Sequence, residues 1–338
     1  MDFSILNQVP ISHNGTAQQA LKHAIELAVV AEETGYARYF VAEHHNTNNL
    51  VSTAPEIVVA HLLAKTEKIN IGTGGIMLQH YNPFKVVEEF HLLNQLAPNR
   101  VDLGVGKAPG GLPLSTEILQ YELEKGKQNF DEKFKLLNQF NLGDFDSSHK
   151  WSNIKTTQKE NNWNPPNVYL LGGSEHTASF AASEKVNFIF AHFINANQEN
   201  LDQALKIYKN QYPDGKIIVA IATVIIDNDA DERFVKDSMK NYRIHFHNGK
   251  SLNLGSLEQV EEFKAQTLDS FEVEEVETEI IKGSTYEVNK QIEELNHLGL
   301  IDEVMLHIPV NDHKLRKQTI LHLSPKNQLN IKEKEEII

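Results

Sequence analysis

Tyr36-Ala37-Arg38-Tyr39-Phe40-Val41-Ala42-Glu43-His44-His45 is a short apolar run that ends abruptly in three ionisable residues. Its aromatic and β-branched content and its length read as a strand. Just upstream, residues 17–34 carry Leu21, Ile25, Leu27, Ala28 and Ala31 at helical spacing, and Gly35 stands where a helix stops. Downstream, 54–65 reads as a second helix and 68–72 as another strand, running into Thr73-Gly74-Gly75. Helix, strand, helix, strand is the pattern of parallel βαβ units. Here each strand hands over to glycines or polar side chains.

The same alternation extends in both directions. Residues 3–7 read as the first strand. A third helix over 83–96 leads through Pro98-Asn99 to a strand over 100–105 and to Gly106-Lys107-Ala108-Pro109-Gly110-Gly111. A long charged helix is expected over 117–140, then an irregular polar insertion over about 143–164. Strands follow at 167–171 and 187–191, with helices at 177–185 and 198–211. The run Lys216-Ile217-Ile218-Val219-Ala220-Ile221-Ala222-Thr223-Val224-Ile225-Ile226 is the longest β-rich segment. A helix is expected over about 231–243, and a second insertion, acidic late on, over about 246–283. Ser284 or Thr285 caps a helix that Gly299 ends, and 302–308 is the eighth strand. The Lys/Glu-rich tail beyond Ser324 is expected to fray. Eight strand–helix repeats without a Pro-, Gly- or Ser-rich linker indicate an α/β chain, a (β/α)8 TIM barrel, as one domain over 1–338. In such barrels chemistry gathers where strands end and loops begin.

Bulk composition removes several classes of function. A net charge of −14 over 338 residues repels nucleic acid and anionic membrane. No cysteine is present, which excludes disulfides, thiolate nucleophiles, Cys-bound zinc and iron–sulfur clusters. The opening residues lack the basic start and apolar run of a signal peptide, and no stretch approaches the roughly 20 apolar residues that span a bilayer. A cytoplasmic enzyme acting on a small molecule is the expectation.

Four strand ends carry candidate chemistry. In Glu43-His44-His45, neighbouring side chains point to opposite sides, so one histidine faces the mouth and the other packs sideways. A neutral imidazole there acts as base or donor near pH 7, and a structural pair bonded to loop backbone fits the spacing equally. It is not the metal motif HExxH, and no metal is expected. Gly74-Gly75 lets the backbone bend sharply beside a flat ligand, or simply turn. Gly104-x-Gly106-x-x-x-Gly110 lacks the spacing of a dinucleotide fingerprint, and Lys107 lacks the Ser/Thr of a P-loop. What remains is a strand-end cation. Gly172-Gly173-Ser174-Glu175-His176-Thr177 is a glycine turn into a helix start, where backbone N–H groups and two hydroxyls suit a phosphate. Ser174 as a simple cap is the plain alternative. His192 lines the mouth or packs within it. Glu43 and Asp102 are the only candidates for a strand-end carboxylate pair such as a barrel hydrolase uses.

Taken together, Ala42-Glu43-His44-His45, Gly72-Thr73-Gly74-Gly75-Ile76-Met77-Leu78, Asn82-Pro83, Arg100-Val101-Asp102-Leu103-Gly104-Val105-Gly106 and Leu171-Gly172-Gly173-Ser174 resemble, in this order, the bacterial luciferase-like flavin-dependent monooxygenases. The resemblance runs from the first strand to the eighth. It implies FMN, reduced by a separate reductase in trans, with O2 as co-substrate and a small organic acceptor such as an aldehyde or ketone. It implies a catalytic role for His44 and a flavin ring against Gly74-Gly75, often a non-proline cis peptide in this family. Glu43 and Thr73 stand at the same strand ends and are counted with the flavin-binding set. Lys107, Gly173, Ser174 and Thr177 match phosphate-holding positions. The second insertion matches a mobile lid, and 54–96 a homodimer surface. Three departures accompany the match. Lysine replaces the usual arginine at 107 and loses its bidentate fork. Gly173 stands where luciferase has a glutamate, and the luciferase cysteine near the flavin is absent. A deazaflavin-dependent hydride transferase and a non-catalytic flavin-binding protein are the alternatives.

Overall fold

The structure is a computed structural model that describes residues 1–121, 129–158, 163–194, 196–247, 251–267 and 269–328. Its strands are β1 (Asp2–Asn7), β2 (Arg38–Val41), β3 (Asn70–Thr73), β4 (Ile76–Met77), β5 (Val101–Gly106), β6 (Asn167–Gly172), β7 (Asn187–Ala191), β8 (Ile217–Ile225), β9 (Lys240–Phe246), β10 (Ser251–Leu254), β11 (Phe271–Glu277), β12 (Ile281–Gly283) and β13 (Glu303–His307). Its helices are α1 (Ala17–Thr34), α2 (Pro55–Leu63), α3 (Pro83–Leu96), α4 (Pro113–Leu119), α5 (Phe130–Leu142), α6 (Glu175–Ser183), α7 (Gln198–Gln211), α8 (Asp229–Ser238), α9 (Leu257–Gln266), α10 (Thr285–Leu295) and α11 (His313–His322).

β1, β2, β3, β5, β6, β7, β8 and β13 pair in parallel in that order, and β13 returns to β1. Eight parallel strands with intervening helices make the expected (β/α)8 barrel. Both faces of these strands are covered, so every residue of β5 and β8 is buried and the runs read as continuously apolar. Alternate residues nonetheless serve different layers. Leu6, Phe40, Tyr169, Ile189, Ile218, Ala220 and Met305 fill the interior, while Ile5, Tyr39, Ile71, Leu103, Val219 and Val304 meet the helices. Helix ends follow their capping signals. Thr16 and Gln19 form a capping box for α1, and Gly35 closes that helix with φ 91°.

Charges seal the N-terminal end of the barrel. Arg38 donates from Nε to Asp102 Oδ2 at 3.3 Å and from Nη1 to Glu303 Oε2 at 2.6 Å, and Lys216 Nζ reaches the same Glu303 oxygen at 2.8 Å. Asp102 therefore lies at the foot of β5 while Glu43 follows the top of β2, and the two form no catalytic carboxylate pair.

Three sequence expectations need correction. Residues 231–243 are not one helix: α8 ends at Ser238 and β9 begins at Lys240, where Tyr242, Ile244 and Phe246 alternate with polar residues. Residues 117–140 are not one helix in their described parts, which fall into α4 and α5; residues 122–128 lie outside the description. The tail does not fray at once. Residues 325–328 form a further helical turn, and Lys326 Nζ donates to the Glu33 carbonyl; 329–338 lie outside the described residues.

The second insertion has architecture of its own. β10, β9 and β11 form an antiparallel sheet with α9 packed on it, around Tyr242, Ile244, Leu254, Val260 and Phe263. It leaves the barrel after β8 and rejoins it through β12, which pairs with β8 in parallel. Leu112 belongs to its small core, and Leu114 N–H donates to Gln266 Oε1 at 3.2 Å. The insertion thus bridges from the top of β8 to the loop after β5, three strands around the rim.

Candidate active site

The C-terminal rim collects side chains from every quarter of the barrel. Glu43, just past β2, is fully buried. Its Oε1 accepts the Tyr81 hydroxyl at 2.6 Å and meets His45 Nε2 at 2.6 Å, and its Oε2 accepts the Met77 N–H at 2.9 Å. Burial and this carboxylate raise the Tyr81 hydroxyl far above its ordinary range, so it stays a donor. Glu43 therefore binds the end of β2 to β4 and to the turn before α3. His45 goes with it: its ring packs edge-on against His80, and its N–H donates to the Gly110 carbonyl at 2.7 Å.

His44 points the other way. Its backbone is held by an N–H bond to the Ser52 carbonyl at 2.8 Å, while its Nδ1 is buried with no hydrogen-bond partner. Burial pushes the imidazole down to about 4, more than neighbouring Glu43 pulls it up, so it is neutral at pH 7. It lies near enough to His307, the last residue of β13, to depress that group's pKa. His307 is pushed down to about 3, by burial first and by Arg316 and His44 next, and its Nδ1 is also buried without a partner. His192, directly after β7, is driven to about 4 by burial, with Nε2 unpartnered. An unsatisfied polar atom inside a fold costs about 1–3 kcal/mol, and three imidazole nitrogens at this rim have no partner among the described residues.

Thr73 and the two glycines after it form the floor between β2 and β5. The Thr73 hydroxyl donates to the Gly104 carbonyl at 2.9 Å and is turned into the barrel wall. The Gly74–Gly75 peptide is cis. A Cβ on Gly74 would sit 2.5 Å from Leu6 Cδ1, and one on Gly75 would sit 2.8 Å from the Gly104 carbonyl oxygen. Glycine is therefore imposed at Gly75 by the backbone of β5, whereas at Gly74 the nearest atom is the end of a side chain that can turn aside.

Lys107 and the β6–α6 turn stand side by side. Val105 pairs with Leu170, so Lys107 and Gly172 leave their strands at the same level. Lys107 is exposed, its ammonium 5.6 Å from the centre of the Phe130 ring. Ser174 is the N-cap of α6: its Oγ accepts the Thr177 N–H at 3.2 Å and lies 3.0 Å from the Thr177 hydroxyl. Gly173 is exposed, and its carbonyl accepts Asn200 Nδ2 at 3.0 Å. A cation, two hydroxyls and a helix N-terminus with its free first-turn N–H groups are the donors that a phosphate monoester needs. The residues present fit a phosphate-bearing flavin: Lys107, Ser174 and Thr177 could hold an anionic group, and the neutral imidazoles of His44 and His307 have nitrogens open to a ligand. Among the described residues no three His, Asp or Glu side chains gather as a metal set.

His307 was missed by sequence reading, which absorbed it into an apolar strand. Its signal was position: a histidine closing a barrel strand at the catalytic end.

The family profile described as "Luciferase-like monooxygenase" matches residues 1–301. The N-acetyl-S-alkylcysteine monooxygenase of Bacillus subtilis (strain 168) is 37% identical over 314 residues, covering 91% of this chain and 93% of that protein. Among solved structures, apo-MsnO8 superposes with a TM-score of 0.75 at 25% identity, covering 97% of this chain and 98% of the other. Two more distant structures share the fold. One is the FMN complex of the oxygenating constituent of 3,6-diketocamphane monooxygenase from Pseudomonas putida, with TM-score 0.64, 14% identity and coverages of 96% and 97%. The other is an F420-dependent secondary alcohol dehydrogenase, with TM-score 0.62, 15% identity and coverages of 96% and 98%. The chain belongs to the luciferase-like monooxygenase family and is a flavin-dependent oxidoreductase.

Proposed function

We propose that this protein is an FMN-dependent monooxygenase that places one atom of O2 on a small organic molecule. The observation that carries the reading is the placing on one rim of a cation and two hydroxyls at a helix start, Lys107 with Ser174 and Thr177, and of two imidazoles, part-buried His44 and buried His307, each with an open nitrogen. Lys107 would balance the phosphate charge, and the Ser174 and Thr177 hydroxyls and the α6 N-terminus would hold its oxygens. Reduced FMN bound there supplies the two electrons by which O2 is divided between substrate and water. His44, neutral at pH 7, would hold or pass a proton at its Nδ1. Glu43 acts at one remove: by engaging Tyr81, His45 and Met77 N–H it fixes the loop that carries His44. The inserted sheet, as a lid, would keep water from the reaction. A separate reductase supplies the reduced flavin, and the enzyme works in the cytoplasm. Ile57, Leu92 and Leu96, exposed on α2 and α3, support a homodimer through those helices.

The test is an anaerobic titration with reduced FMN and, in parallel, with a reduced deazaflavin. Saturable micromolar binding of FMN, with consumption of O2 and transfer to an aldehyde, ketone or thioether panel, is the expected result. His44→Ala should retain FMN binding and lose turnover by about 100-fold, within the usual range for a proton-transfer residue. Preference for the deazaflavin with no O2 uptake favours hydride transfer, and binding of FMN without turnover on any substrate favours a flavin carrier.

A further inference from the structure

Between the rim and the inserted sheet lies a cavity of about 340 Å³, lined by His192, Ile221, Ala222, Met239, Ile280 and Ile281 among others. It is separate from the phosphate-binding set at Lys107 and Ser174. It nevertheless opens on the same rim, because Ala222 is the register partner of His307. Its volume is at the small end of the range for ligand cavities, and its walls combine aliphatic and polar side chains in similar measure. Most of its polar groups are already engaged. The Thr278 hydroxyl accepts from Asn241, its N–H donates to the Met239 carbonyl at 2.7 Å, and Gln291 Nε2 donates to the Glu287 carbonyl at 3.2 Å. His192 differs. It is 8% exposed, and its Nε2 has no partner among the described residues. A buried imidazole nitrogen at such a cavity is a hydrogen-bonding group awaiting a ligand atom.

The charged lining has one sign. Glu277 and Glu279 contribute carboxylates, and no lysine or arginine is among the described lining residues. The cations nearby are occupied. Lys240, the register partner of Glu277, gives its ammonium to Glu275 at 2.9 Å. Lys282 directs its ammonium to the Met239 sulfur at 3.4 Å. Glu277 and Glu279 are both exposed on the cavity's open side, so an entering carboxylate would meet two like charges there with no lysine or arginine among the described lining residues to offset them.

We propose that this cavity is the acceptor-substrate pocket, that His192 Nε2 anchors the substrate's polar group, and that Glu277 and Glu279 select against anions. The substrate class is then a small molecule without a carboxylate or phosphate. This inference rests on the monooxygenase reading above. It separates this chain from its Bacillus subtilis relative, whose named substrate, an N-acetyl-S-alkylcysteine, carries a carboxylate.

The experiment is calorimetric titration of the full chain, alone and with oxidised FMN, using N-acetyl-S-methylcysteine and its neutral carboxamide as paired probes. The expected result is binding of the carboxamide at least tenfold tighter than the acid. In the double variant Glu277→Gln/Glu279→Gln that preference should shrink to about threefold or less, with FMN affinity unchanged. His192→Ala should weaken the carboxamide about tenfold, and His192→Asn should restore part of the loss by returning a hydrogen-bonding group. Equal affinity for the two probes, binding of neither, or a preference that the double variant leaves intact overturns the inference. Those outcomes with normal FMN binding leave the cofactor reading standing. Absence of FMN binding with intact probe discrimination overturns the cofactor reading and leaves standing only the cavity's preference for neutral ligands.

Discussion

Lys107 is where a single side chain most directly tests the cofactor. A lysine ammonium neutralises phosphate as a point charge, whereas a guanidinium adds two parallel hydrogen bonds. Lys107 is exposed and makes no ion pair among the described residues; its ammonium lies over the Phe130 ring. Lys107→Arg should therefore tighten FMN about three- to tenfold, and Lys107→Ala should weaken it about tenfold. Riboflavin, which lacks the phosphate, should bind all three proteins alike. The measurement is flavin fluorescence quenching, and a parallel change for riboflavin would place Lys107 away from the phosphate. At this scale the sequence was partly legible. The glycine turn, the cap and the lysine were visible as residue types at strand ends. That His44 and His45 divide, one to the mouth and one to Glu43 and His80, was expected from alternation. What stayed hidden was where hydrogen bonds go. Thr73 spends its hydroxyl on Gly104, and Glu43 spends both oxygens on Tyr81, His45 and Met77. Such partners are distant in the chain, so no local pattern announces them.

Among the elements, β3 and β5 approach more closely than any other feature of the rim requires. A Cβ on Gly104 would lie 1.9 Å from the Thr73 carbonyl oxygen, against backbone that cannot swing aside. On Gly106, two residues on, a Cβ would meet only the Met77 sulfur at 3.6 Å, an ordinary contact. Gly104→Ala should cost at least about 3 kcal/mol, the upper part of the overpacking range, and Gly106→Ala less than about 0.5 kcal/mol. Urea unfolding of both variants checks this, and equal costs would mean that the strands are not so close. The barrel strands were readable because apolar runs of strand length alternate with amphipathic helices. The inserted sheet was not, although its signal was present. Tyr242, Ile244 and Phe246 alternate with Asn241, Arg243 and His245, a period of two that an extension of α8 at period 3.6 cannot satisfy. Its core takes Leu112 from the far side of the mouth, and only the closed barrel brings that residue near.

For the whole molecule, three imidazoles set a pH window for stability. His44 and His192 are held down to about 4 and His307 to about 3, all chiefly by burial. In the unfolded chain each titrates near 6.5. Above 6.5 neither state binds these protons, and the folded state keeps its full stability. As pH falls below 6.5 the unfolded chain takes them up and the folded chain does not, so stability drops until the native groups themselves titrate. Three such protons correspond to a slope of at most about 4 kcal/mol per pH unit between roughly 6 and 5. Carboxylates titrate mainly below that interval, which isolates the histidines. Urea midpoints of the flavin-free protein should therefore fall steeply from pH 7 to 5, and His192→Gln should remove about a third of the slope. A flat profile over that range would mean that these rings are solvated or already paired. The same arithmetic bears on function. A ligand that bonds only neutral imidazole stabilises the folded state throughout this interval, so bound FMN should move the acid transition to lower pH.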